Sequence, residues 1–182
     1  MTPAMTPDDL KALVRTIPDF PQPGIQFRDI TTLIGHGPGL ARTVALLADA
    51  ARAAGAEAIA GMEARGFIFG AAVAAHLGLG FVPVRKPGKL PVPVLAIDYA
   101  LEYGTDTLEV DPGAIAPGQH VVIIDDLIAT GGTALAATQL LRRAGARVDH
   151  ALFVIDLPEL GGAQRLRDAA LTVSALMDFA GH

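Results

Sequence analysis

Two adjacent carboxylates, Asp125 and Asp126, are followed after two apolar residues by Ala129-Thr130-Gly131-Gly132-Thr133, a run of small residues with two hydroxyls. Backbone N–H groups in such a loop can converge on one anion, and a helix that starts there adds the positive end of its dipole. Carboxylates accept hydrogen bonds from hydroxyls and bind hard divalent cations. An anion cradle beside paired carboxylates points to a ligand carrying both a phosphate and hydroxyls, such as a ribose phosphate, together with a divalent metal. Taken alone, Asp125-Asp126 would serve equally well as caps of the following helix.

The cations are distributed unevenly. The only lysines are Lys11, Lys86 and Lys89, and two of them fall in the short segment Arg85-Lys86-Pro87-Gly88-Lys89. A solvated basic turn would have this composition. In a chain that otherwise uses arginine, the clustering favours an anion-binding role. Arg65 lies in a strand-to-helix turn, Glu63-Ala64-Arg65-Gly66, and is placed to meet phosphate oxygens.

Other chemistries are excluded by absence. Ser174 is the only serine and sits in a plain strand pattern, so a nucleophile-elbow hydrolase is ruled out. There is no cysteine, hence no disulfide and no thiolate chemistry, which fits a reducing cytoplasm. His36, His76, His120, His150 and His182 are scattered without zinc-like spacing. Neither G-x-x-x-x-G-K-[ST] nor G-x-G-x-x-G occurs, so Walker-type and dinucleotide sites have no support.

The elements that must position these residues follow from apolar patterning. Val121-Val122-Ile123-Ile124 is a run of β-formers, read as a buried strand of a parallel sheet whose carboxyl end delivers the aspartates and the loop. Thr6-Pro7-Asp8-Asp9 is a helix start, with the helix predicted to about Ile17. Pro18, Pro21, Pro23 and Gly24 enforce an irregular passage before an extended piece, Ile25 to Ile30. A helix is predicted over Gly39 to Ala54, a strand over Ala56 to Gly61, a helix from the Arg65 turn to about Leu77, and a strand over Phe81 to Val84.

Residues 85–111 read as a long hairpin arm. After the central strand, a helix is predicted to about Ala144, a strand over Val148 to Ile155, a short helix near Ala163 to Asp168, and a last strand over Leu171 to Leu176. Strands alternating with helices imply an α/β fold with a mostly parallel sheet covered on both faces.

At 182 residues and 51% hydrophobic content, the chain is read as one domain. A net charge of -5 argues against nucleic acid as a partner. Gly66 to Val84 carries no full charge, but its glycines and Pro83 divide it into helix, turn and strand. A membrane span is therefore not expected.

With these residues assembled, the sequence resembles the adenine phosphoribosyltransferases of the type I phosphoribosyltransferase superfamily. Val121 to Ala134 (VVIIDDLIATGGTA) looks like the superfamily's phosphoribosyl pyrophosphate signature. Three further blocks are similar to the adenine-specific members. They are Pro18-Asp19-Phe20-Pro21 with Phe27-Arg28-Asp29-Ile30, then Gly61 to Gly70 (GMEARGFIFG), and then Arg85 to Pro91 with Leu101-Glu102-Tyr103-Gly104. The match runs from about Ile17 to Leu157. Gln26 stands where an apolar residue is expected, and Glu63-Ala64 replaces a more usual Asp-Ser pair.

The resemblance implies a transfer of the phosphoribosyl group from 5-phosphoribosyl 1-pyrophosphate to adenine, with Mg²⁺, in a cytoplasmic homodimer. A base-binding hood would span about 1–35 and a flexible catalytic loop about 85–111. Asp125 and Asp126 would hold the ribose hydroxyls, directly or through Mg²⁺, and Ala129, Thr130, Gly131, Gly132 and Thr133 would cradle the 5′-phosphate. Arg65, Lys86, Lys89 and Tyr103 would meet the pyrophosphate. Phe27 would stack on the purine, with Arg28 and the backbone around Gln26 at its edge and Leu157 as cover. Glu102 would be the acid/base group.

Two alternatives remain open. One is a phosphoribosyltransferase for another purine, although such relatives usually read a 6-oxo group with a lysine after the signature and none follows Lys89 here. The other is a non-catalytic phosphoribosyl pyrophosphate sensor.

Overall fold

The computed structural model describes residues 5–100 and 104–181. Its centre is a five-stranded sheet in which every pairing is parallel. In chain order the elements are α1 (Pro7–Ala12), β1 (Arg15–Pro18), β2 (Gln26–Asp29), α2 (Thr31–Gly35), α3 (Gly37–Ala53), β3 (Ala58–Met62), α4 (Arg65–Leu77), β4 (Gly80–Val84), β5 (Leu95–Ala100), β6 (Thr105–Val110), β7 (Val121–Ile128), α5 (Gly132–Arg143), β8 (His150–Asp156), α6 (Gly162–Asp168) and β9 (Thr172–Asp178). The sheet order is β4-β3-β7-β8-β9, and β1-β2 and β5-β6 form two separate antiparallel pairs.

The apolar run at the start of β7 is buried on both sides. Val121 and Ile123 pack with Leu108, Leu140 and Leu166, which come from β6, α5 and α6. Val122 and Ile124 pack with Leu33, Leu47 and Phe69, which come from α2, α3 and α4. Alternation of side chains along a strand produces this division, and a strand covered on both faces reads as a continuous apolar run for the same reason.

The order in which strands are added to the sheet reverses between β3 and β7. The strand after β3 is laid on one side of it, and those after β7 on the other. The loops leaving β3 and β7 therefore diverge and open a crevice between them, the place where open α/β sheets hold ligands.

Four elements differ from the sequence prediction. The helix starts at Thr6 as predicted, through a capping box with Asp9 that the structure adds, but it ends at Ala12 instead of near Ile17. Arg15 to Pro18 is drawn instead into an antiparallel pair with β2, where β-branched Thr16 and Ile17 fit better than in a helix. Thr31–Gly35 forms a short helix that has no strong periodic signal. Strand β7 runs four residues past Ile124, so both aspartates lie inside it. Pairing with β3 stops at Ile124, but pairing with β8 continues to Ile128 and keeps the backbone extended.

Candidate active site

The crevice has two connected parts. The first is a cleft of about 300 Å³ bounded by the turn after β3, the end of β7, the loop to α5, and Lys86. Asp125, Asp126, Ala129, Thr130, Gly131, Gly132, Thr133, Arg65 and Lys86, all named from sequence, lie along it. Helix α5 opens at Gly132, and its first internal backbone bond from the cap runs from Leu135 N–H to Gly131 O at 2.9 Å. The N–H groups of the first turn have no partner within the helix and face the loop's concavity, where they can serve an anion.

Backbone crowding shapes this loop. Gly131 has φ +78°, and a Cβ there would come within 2.9 Å of Gly162 O. Gly162, in turn, would place a Cβ 2.2 Å from Ala129 O, and its N–H donates to that oxygen at 3.0 Å. The cradle is thus clamped against the start of α6 by two glycines at opposite ends of one contact. Gly162 had no signal in the sequence, because it lies 31 positions along the chain from Gly131.

Asp126 is buried, and its Oδ2 accepts a 2.5 Å hydrogen bond from Arg65 Nε. Asp125 Oδ1 accepts from the Asp126 N–H at 2.9 Å. Burial, and then the neighbouring Asp126 carboxylate, hold the Asp125 carboxyl well above the ordinary carboxylate range, with Arg65 opposing. Gly66 makes room for this group, since a Cβ there would lie 2.7 Å from Asp125 Oδ1.

On the opposite wall, Glu63 organises the basic segment that follows β4. Its carboxylate accepts from Arg85 Nε at 3.2 Å, from Arg85 Nη2 at 3.3 Å and from the Lys86 N–H at 3.0 Å. The Arg85 bond, and then the Lys86 N–H, hold Glu63 below the ordinary carboxylate range. The Glu63–Ala64 peptide is cis. Lys86 Nζ bonds to Asp106 of β6 and lies 3.4 Å from the Tyr99 hydroxyl. Lys89 is exposed and lies outside the cleft wall; its carbonyl accepts from Arg85.

The second part is a larger, more apolar cleft of about 520 Å³ that shares Arg65, Leu127, Ala129, Thr130, Gly132 and Thr133 with the first. Gln26, Phe27 and Arg28 of β2 and the buried Leu157 line it, again as named from sequence, with Ile25, Leu127 and Leu160 added. Phe20 meets Phe27 edge-on at 5.2 Å between ring centres. The Arg28 guanidinium is committed elsewhere: Nη1 donates to Thr16 Oγ1 at 2.6 Å and Nη2 to Ala180 O at 2.7 Å, over the Phe179 ring. Its two terminal nitrogens are thus taken, while Arg28 Nε is buried without a hydrogen-bond partner. The remaining predicted residues, Glu102 and Tyr103, lie outside the described residues.

This arrangement can hold a phosphate, two or more hydroxyls and a second anion in one cleft, and a flat apolar group in the next. Comparison with known proteins gives the arrangement a family. Residues 34–173 match the model of the phosphoribosyl transferase domain. The chain is 76% identical to an adenine phosphoribosyltransferase of Novosphingobium aromaticivorans over 178 residues, covering 98% of this chain and 100% of that one. Among solved structures, it is similar to the adenine phosphoribosyltransferase of Thermoanaerobacter pseudethanolicus, with TM-score 0.91, 45% identity, and coverage of 96% of this chain and 100% of that one. The Saccharomyces cerevisiae enzyme, solved with adenine and an imino-altritol bisphosphate, gives TM-score 0.89 and 36% identity, covering 94% and 98%. With this match in sequence and in fold along nearly its whole length, the chain belongs to the adenine phosphoribosyltransferases of the phosphoribosyltransferase family.

Proposed function

We propose that the protein is a purine-salvage enzyme that transfers the phosphoribosyl group of 5-phosphoribosyl 1-pyrophosphate to adenine, giving AMP and pyrophosphate. The observation that carries this is the common wall of the two clefts. Arg65, Leu127, Ala129, Thr130, Gly132 and Thr133 line both, which supports a ribose phosphate in the first cleft presenting its anomeric carbon to a base in the second.

As the bond from C1′ to the pyrophosphate oxygen breaks, positive charge grows on the ribose ring and negative charge on the leaving group. Fixed cations at the leaving group stabilise that state; Arg65 and Lys86 border the cleft where it would lie. Asp125 and Asp126 accept the ribose hydroxyls, and negative charge on this pair also favours the developing oxocarbenium once Asp125 is ionised. Adenine attacks through N9 and loses a proton from its imidazole ring, for which Glu102 is the proposed acceptor. Phe27 and Leu157 hold the base in plane. No covalent nucleophile is needed.

The oxygen-only donor set of Asp125 and Asp126 fits a hard divalent cation, and the raised Asp125 carboxyl is a group that a cation would ionise. Mg²⁺ held there, mainly through substrate oxygens, would neutralise charge on the leaving group. In this proposal the chain acts as one domain, with the hood of about 1–35 over the base and the arm of about 85–111 over the pyrophosphate. It acts as a cytoplasmic homodimer, in line with the resemblance and with the absence of cysteine.

The test is pyrophosphate release from phosphoribosyl pyrophosphate with adenine, hypoxanthine, guanine and xanthine in turn, with and without Mg²⁺. Release with adenine alone, dependent on the metal, is expected. Equal release with a 6-oxo purine overturns the base assignment, and no release with any base overturns the reaction.

A further inference from the structure

We infer that Asp106 is an internal counter-ion that holds the Lys86 ammonium until a pyrophosphate group displaces it, and so sets the affinity of the cleft for its leaving group. The inference rests on the proposed function, in which Lys86 meets pyrophosphate.

The geometry leaves Lys86 little choice of partner. Its backbone is fixed by the bond from its N–H to Glu63, and it lies on the wall of the phosphate cleft. Its ammonium nevertheless turns to the β5-β6 hairpin, where Asp106 Oδ2 and the Tyr99 hydroxyl receive it. Tyr99 and Asp106 are directly opposite in the register of that hairpin, so the receiving pair is built by strand pairing and does not depend on a loose loop. The Tyr99 hydroxyl also donates to Asp106 Oδ2 at 3.2 Å, and Asp106 Oδ1 accepts the Thr107 N–H at 2.8 Å. Asp106 is not part of the cleft wall itself.

The contact is strong enough to set a resting position and weak enough to be exchanged. The side chains of Lys86 and Asp106 keep 37% and 27% of their exposure. Partly exposed pairs of this kind contribute little to stability, and a multiply charged pyrophosphate inside the cleft can outbid a single carboxylate. Both partners stay ionised at neutral pH. Burial opposes the Lys86 charge, but Asp106 and Tyr99 together overcome it and raise Lys86, while the Lys86 bond lowers Asp106 below the ordinary carboxylate range. A second link runs to the phosphate cradle, where Thr133 Oγ1 lies 3.4 Å from the same Tyr99 hydroxyl. The resting position of Lys86 is therefore tied to the loop that receives the 5′-phosphate.

Asp106 thus acts through Lys86 and is a positioning residue. Its removal has a sign that loss of a merely structural residue would not produce: the ligand should bind more tightly. The test is calorimetric titration of inorganic pyrophosphate into wild type, Asp106→Asn, Asp106→Glu, Lys86→Met and the Lys86→Met/Asp106→Asn double variant. Each is checked for fold by circular dichroism, with Asp106→Ser replacing Asp106→Asn if the latter fails to fold.

Asp106→Asn should bind pyrophosphate at least about threefold more tightly than wild type. Asp106→Glu should match wild type, and the gain should vanish when Lys86 is absent. In steady state, the KM for phosphoribosyl pyrophosphate should fall in Asp106→Asn. Unchanged or weaker binding by Asp106→Asn, or a gain that persists in the Lys86→Met background, overturns the counter-ion. Failure of wild type itself to bind pyrophosphate overturns the proposed reaction together with it, so the two failures are distinguishable.

Discussion

Lys86 and Arg65 both reach the cleft already holding a carboxylate, Asp106 in one case and Asp126 in the other. Each cation is thereby kept charged and oriented before a ligand arrives, and under the proposed counter-ion exchange Lys86 must give up its carboxylate to meet one. Lys86→Ala should lower kcat roughly 100-fold while moving the KM for adenine much less; steady-state assays with adenine varied will show this, and an unchanged kcat removes Lys86 from the chemistry. The same split is expected for Glu102→Ala.

Asparagine at both Asp125 and Asp126 should reduce turnover on the order of 10³-fold or more, and wild-type rates in that variant would remove the ribose assignment. At this scale the sequence was a good guide where the partners are local. The acids and the cradle are consecutive in the chain, and they stay together in space. Glu63 was undervalued because its partners, Arg85 and the Lys86 N–H, lie beyond a whole helix and a strand. The target of the Arg28 guanidinium is 152 residues away, at Ala180, and no local pattern encodes it.

Elements position these side chains through their ends. The phosphate loop keeps its shape because Gly131 and Gly162 allow two backbones to touch. Gly162→Ala should push Ala129 O out of place, costing roughly 1–3 kcal/mol of stability and raising the KM for phosphoribosyl pyrophosphate. Thermal melts and kinetics measure the two effects separately.

The joint between β2 and α2 carries a pH dependence. Bonds from the Thr31 hydroxyl and N–H, and then from Arg15, hold Asp29 at about 2 against an ordinary 3.8. A carboxylate lowered in the folded state contributes stability above its unfolded pKa and loses it as pH falls toward the folded value. Wild type should therefore lose on the order of 1 kcal/mol from this joint between about pH 4 and pH 2. Asp29→Asn should show less of that loss in acid melts.

The three-layer α/β plan was legible because its strands are short apolar runs and its helices are bounded by proline and glycine signals. The boundary errors fell where a non-local strand pairing won: β1 took residues from α1, and β8 kept β7 extended past the aspartates.

For the whole molecule, ligand binding and stability are one equilibrium. A ligand at one hundred times its dissociation constant adds about 2.7 kcal/mol, so saturating phosphoribosyl pyrophosphate should raise the melting temperature of wild type. The Asp125/Asp126 double asparagine variant should show little of that rise.

The cover of the larger, apolar cleft has a further consequence for anyone who would rebuild it. Its floor strand belongs to the beginning of the chain, yet it is pinned by the end. Arg28 bonds to Ala180 O, Lys11 and Arg28 both lie over the Phe179 ring, and the Gly181 N–H is held by Glu159. The first and last segments thus form one exchangeable cassette. A chimera that grafts a relative's N-terminal 30 or so residues to change base preference must bring that relative's matching tail with it, or leave the grafted arginine with no one to answer it.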